Sequence, residues 1–193
     1  RPQAVDILRS LPQNQASQAL ADLRAAVRQS IQGRTAEEQQ WQLECGDLYL
    51  AIGRTEKAAE LWNELAMAEK LDPEMAVRVT LRLCGWNLAQ GQLLPLEIWT
   101  PATIAEDYPE EVRLMARFVT GSLAPQELDD ALQRLPNPRI LTEAEWDVAR
   151  ALRARAEGRD ADSVQLLWSA ADRAAADRAW PHFLLDLLRT RTQ

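Results

Sequence analysis

Four glycines punctuate the chain at near-regular intervals. Gly53, Gly91, Gly121 and Gly158 are separated by 38, 30 and 37 residues, a mean of 35. Each follows a stretch whose apolar residues suit a helix face. Glycine tolerates the left-handed backbone that closes a helix, so each is expected where a helix ends and turns into its partner. The spacing predicts helix–turn–helix units that bury their apolar faces on one another. Composition agrees. The chain has 31 Ala and 29 Leu, but only 14 Ile and Val together and 7 Gly. That mix favours helix and disfavours strand. The Val/Ile-rich strand runs and Gly-rich turns of a doubly wound or barrel enzyme are missing. The 193 residues suit one domain or a short repeat array. With 47% hydrophobic and 26% charged residues, the chain has enough apolar material for a core.

Gly and Pro divide the chain into expected helices. The first covers 2–10 and stops before Pro12. The next, 15–32, places Ala16, Leu20, Leu23, Val27 and Ile31 on one face. Helices are expected at 35–52 and 56–70, with Thr35 and Thr55 at their starts and Glu38 completing a capping box with Thr35. Others follow at 74–90, 110–120, 125–134, 143–157, 160–177 and 179–190. Thr142 and Glu145 form a second capping box. The stretch 92–109 holds Pro95, Pro101 and Pro109 and is expected to be irregular, with one helical turn near 101–106. Pro136 and Pro138 make a rigid turn.

Charge and chemistry narrow the function. There are 22 basic and 29 acidic residues, a net charge of -7. Nucleic-acid binders draw much of their affinity from a basic surplus, which this chain lacks. The acidic excess lies in the N-terminal half: residues 34–75 carry ten acidic and four basic groups. It reads as a solvated helix face, with steering of a basic partner as the alternative. The one histidine, His182, leaves little room for a Cys/His or Ser/His/Asp triad. No phosphate-cradling glycine motif is present. The carboxylate pairs Glu37-Glu38, Glu110-Glu111 and Asp129-Asp130 are neighbours in sequence and do not share a helix face. No catalytic residue, metal site or cofactor is expected. Cys45 and Cys84 lie 39 residues apart and read as buried, unreactive thiols. A reducing, cytoplasmic setting is favoured, with the soluble part of an exported or anchored protein as the alternative. No segment reaches the ~20 apolar residues of a membrane span. The chain begins Arg1-Pro2 with no Met, which reads as a segment from which a leader, anchor or further domain was removed.

The clearest unit runs from Gln39 to Asp72. Within it, Gly46, Tyr49, Gly53, Ala58 and Trp62 fall at successive steps of three, four, five and four. Small residues at Gly46 and Ala58 allow close helix approach, and Tyr49 and Trp62 fill the space between hairpins. These five positions resemble the tetratricopeptide repeat. The family's first aromatic would fall at Gln42, beside Trp41, and its closing proline at Lys70, three residues before Pro73, so both positions depart from the pattern. The units around Gly91, Gly121 and Gly158 are more degenerate, and the resemblance covers roughly 39–175.

The resemblance implies an all-α fold of antiparallel hairpins stacked as a short right-handed superhelix. The chain then divides into leading helices at 1–33, hairpins at 34–177 and a capping helix at 178–193. The family lines a concave groove with first helices, which here implies Gln40, Leu43, Asp47 and Leu50, then Arg78, Leu81, Arg82 and Leu88. The last unit adds Glu145, Val148, Leu152 and Arg155. The groove is expected to hold a partner protein's peptide or amphipathic helix. The clamp that chaperone-binding members use for a terminal carboxylate is absent, since Leu43, Asp47 and Arg78 stand at its positions. Trp99, in the Pro-interrupted stretch, is expected to mark a special surface. The resemblance points to a non-catalytic adaptor, assembly factor or chaperone, bacterial by its arginine-rich composition. A regulatory domain cut from an enzyme or membrane-anchored protein is the alternative, and RNA binding through the arginines at 150–159 a weaker one. A homo-oligomer stays open.

Overall fold

A computed structural model describes residues 7–8, 10–68, 70–90, 106, 108–135 and 139–177, excluding the side chains of 88, 89, 171 and 174–177. Eight helices and no strand occur among the described residues: α1 Gln13–Ser30, α2 Thr35–Ala51, α3 Thr55–Ala66, α4 Pro73–Ala89, α5 Glu110–Val119, α6 Pro125–Arg134, α7 Glu143–Ala156 and α8 Asp160–Asp177. The fold is all-α. Most of the helix expected at 2–10, Gly91, most of the 92–109 stretch, the Pro136–Pro138 turn and the helix expected at 179–190 lie outside the described residues.

Three of the four periodic glycines close helices. Gly53, Gly121 and Gly158 have φ of 77°, 86° and 75°. In each turn the glycine N–H bonds a carbonyl three residues back, and the next residue's N–H reaches five back. At Gly53 these are Leu50 and Tyr49, at Gly121 Phe118 and Arg117, and at Gly158 Arg155 and Ala154. This double bond pattern satisfies carbonyls that the helix end would otherwise orphan. The short turns fold α2 back on α3, α5 on α6 and α7 on α8.

The helix starts differ in part from expectation. Arg34 and Arg54, not Thr35 and Thr55, are the N-cap residues, and neither gives a side-chain cap. The Arg54 N–H is committed to the Tyr49 carbonyl, so the turn sets where α3 begins. Glu38 instead accepts the Gly33 N–H at 2.8 Å. The Thr142–Glu145 capping box does form: Thr142 N–H donates to Glu145 Oε2 at 2.8 Å, and Glu145 N–H to Thr142 Oγ1 at 3.2 Å. α3 ends at Ala66, short of the expected residue 70. Asp72 caps α4, its Oδ1 accepting from the Glu74 and Met75 amides at 3.0 and 3.3 Å.

The core is continuous from Leu8 to Ala170. Trp62 and Trp146 are its largest fully buried side chains. Gly46 sits directly beneath Trp62: a Cβ there would overlap the indole Nε1 and lie 2.7 Å from Cδ1. The glycine is what lets α2 and α3 come this close. α4 packs on α3 and α7 and narrowly on α2, and α5 packs on α6 and α7 and narrowly on α4.

Candidate interaction face

α2, α4 and α7 each open a helical stretch in the sequence pattern, and charged side chains tie them together. Asp47 on α2 accepts two bonds from Arg82 on α4, from Nε and Nη2, both at 2.7 Å. This forked geometry is the strong form of a carboxylate–guanidinium pair. Arg82 is buried, and its Nη1 also donates to the Arg78 carbonyl at 3.1 Å. Burial pushes the Asp47 carboxyl above its ordinary value, against the opposing pull of Arg82. Burial also works against the charge on Arg82, but Asp47 more than restores it, and the guanidinium is held above its usual range.

Arg78 spans α4 to α7. It pairs with Glu74 one turn back at 2.9 Å, donates to the Ile140 carbonyl at 3.0 Å, and places Nε 3.7 Å from Glu145 Oε1. Buried Asp147 on α7 is held from three directions. Arg150 donates at 2.9 Å, Ser169 Oγ donates at 3.0 Å, and Arg173 forms an ion pair with Nε at 2.9 Å.

The sequence-derived groove residues separate into two groups. Gln40 is half-buried and donates to Glu44 at 2.9 Å; Asp47 and Arg78 are also half-buried. Leu43, Leu50, Leu81 and Arg82 are instead buried at 2%, 2%, 0% and 6% exposure. They therefore offer no surface to a partner in this packing. On α2, Leu43, Cys45, Gly46, Tyr49 and Leu50 are all buried, and a helix enclosed on so many sides keeps only a narrow wet strip. In the last unit Glu145, Val148 and Leu152 are buried as well, while Arg155 is half-buried and pairs with Asp160. The Leu88 side chain and Trp99 lie outside the described residues.

Cys45 and Cys84 are both buried and not joined in a disulfide, and burial outweighs the pull of Arg24 to push Cys45 up to about 12. Among the described residues no group of three His, Cys, Asp or Glu could hold a metal ion. No described helix is long and apolar enough to cross a membrane.

One regularity carries a signal that the residue pattern alone did not reveal. Asp47 and Arg82 are 35 residues apart, the mean glycine spacing. So are Glu111 and Trp146, whose indole Nε1 donates to Oε1 at 3.2 Å. So are Phe118 and Arg153, where Nη1 donates to the Phe118 carbonyl at 3.1 Å. Residues one period apart are thus brought into contact at three places. No family model matches the chain, and neither a curated protein nor a solved structure matches it.

Proposed function

We propose that the chain is a non-catalytic protein–protein interaction module of tetratricopeptide-like hairpins, holding a partner peptide or amphipathic helix against α2, α4 and α7. The observation that carries this reading is the contact between side chains one 35-residue period apart, led by the Asp47–Arg82 pair. Gly46 beneath Trp62 supports it, because the repeat pattern asks for a small residue at Gly46 that lets the two helices of the hairpin approach closely. In this reading Leu43, Leu50, Leu81 and Arg82 hold the helices together. The partner meets the half-buried polar groups Gln40, Glu44, Asp47, Glu74 and Arg78. Three of these are acidic and one basic, which favours a segment carrying basic side chains beside its apolar anchors.

Affinity capture from the source cell, followed by mass spectrometry, tests the proposal against the double variant Gln40→Arg/Glu44→Arg. The parent is expected to recover a specific protein, and the variant to lose it with its helical circular dichroism unchanged. Equal recovery by the variant would remove this face from the proposal. No specific protein recovered by the parent would remove the interaction reading itself.

A further inference from the structure

The backbone of Ile140, at the approach to α7, is gripped from two sides by helices that pack narrowly on each other. Its N–H donates to Glu111 Oε2 on α5 at 2.7 Å, and its carbonyl accepts from Arg78 Nη2 on α4 at 3.0 Å. Glu111 is buried, and its other oxygen accepts from the Leu141 N–H at 3.3 Å and from Trp146 Nε1 at 3.2 Å. Arg78 keeps part of its side chain in solvent. α4 and α5 pack narrowly on each other, whereas each packs more broadly on α7. The irregular segment 139–142 therefore joins α4 and α5 through side-chain hydrogen bonds to its backbone.

We propose that Arg78, Ile140 and Glu111 form a releasable clasp that couples the register of α4 to that of α5 and α7. Segments held by a few hydrogen bonds open below the cost of global unfolding. With Arg78 released, residues 139–142 lose their bond to α4 and keep those to Glu111, Leu132, Glu143 and Glu145, and the coupling of α4 to α5 through this segment loosens. The α2–α3 hairpin shares no bond with the clasp and stays closed. Any ligand that engages Arg78 competes with the Ile140 carbonyl, so its binding and the order of this segment are linked reciprocally. The clasp does not depend on the interaction reading above.

Amide hydrogen exchange on the full chain tests it, because both N–H groups that Glu111 holds are bonded to Glu111 and not to Arg78. Arg78→Met keeps the apolar stem and removes the donors. It is expected to speed exchange of the Ile140 and Leu141 amides about tenfold, as loss of roughly one hydrogen bond implies. A smaller increase should appear in α5, with α2 and α3 within about twofold of the parent. Arg78→Lys, which keeps a cation and a donor, should restore most of the protection. Unchanged exchange at Ile140 and Leu141 in Arg78→Met would overturn the clasp. So would an equal acceleration in every helix, which is the mark of general destabilisation.

Discussion

Replacing Gly46 by alanine sets two well-known effects against each other. In an exposed helix interior the change stabilises by about 1 kcal/mol, since alanine is the best helix former and glycine among the poorest. At Gly46 the added methyl has no room. Its carbon would overlap Trp62 Nε1 and stand 2.7 and 3.0 Å from Cδ1 and Cε2. The indole is 1% exposed and cannot swing into solvent, so either it leaves its rotamer or α2 and α3 separate. Forcing a methyl into a packed core costs about 1–3 kcal/mol, occasionally more. Opening a hairpin at its closest approach belongs at the upper end. The expected net loss after the propensity gain is about 2 kcal/mol, or about 4–8 °C in Tm for a chain of this size. Urea unfolding followed by circular dichroism measures it. Combining Gly46→Ala with Trp62→Leu, which removes the ring that the methyl would meet, should cost less than the sum of the two single changes. A Gly46→Ala variant as stable as the parent, or additive behaviour in that cycle, would refute the close approach.

Three further outcomes are expected. Asp47→Leu leaves Arg82 as a buried cation without its forked acceptor and should cost about 3 kcal/mol, whereas Asp47→Leu/Arg82→Met should recover part of the loss in the same unfolding assay. Cys45, pushed up to about 12 by burial, stays protonated in the fold where an unfolded thiol, near pH 8.5, ionises. Its effect on stability is therefore level below about pH 8 and turns unfavourable as pH rises further, so Cys45→Ser should flatten the alkaline loss seen in urea titrations. Gly121→Ala meets both a φ of 86° and the Arg153 Nη1 atom at 2.6 Å, while Gly33→Ala meets a φ of 84° and open space. Thermal melts should place Gly121→Ala below Gly33→Ala by about 1 kcal/mol, the worth of the Arg153–Phe118 hydrogen bond.

The helix ends were legible because the information is local. A glycine after an apolar run carries its left-handed backbone wherever the helix lies, and Gly53, Gly121 and Gly158 close their helices accordingly. The Thr142–Glu145 box is equally local. Thr35 and Thr55 carry the same residue type, but the preceding turns place the N-caps one residue earlier, at Arg34 and Arg54. The face was less legible. Leu43, Asp47 and Leu50 repeat at helical spacing whether that stripe faces a groove or a neighbour. Only the packing of the helices on one another decides that the leucines are enclosed. The Asp47–Arg82 and Glu111–Trp146 pairs needed two facts together, the period and the choice of side. Glycine spacing supplies the first and says nothing of the second.

Nuclear Overhauser contacts in the folded chain test the account where it commits most, at the side-chain pairs one period apart. Cross-peaks are expected from Arg82 Hε to Asp47 Hβ, from Trp146 Hε1 to Glu111 Hγ, and from the Arg153 guanidinium to the α5 end at Phe118. Well-dispersed spectra with intact helices but none of these three contacts would contradict it. The chain would then be a helical protein whose units do not meet in a 35-residue register.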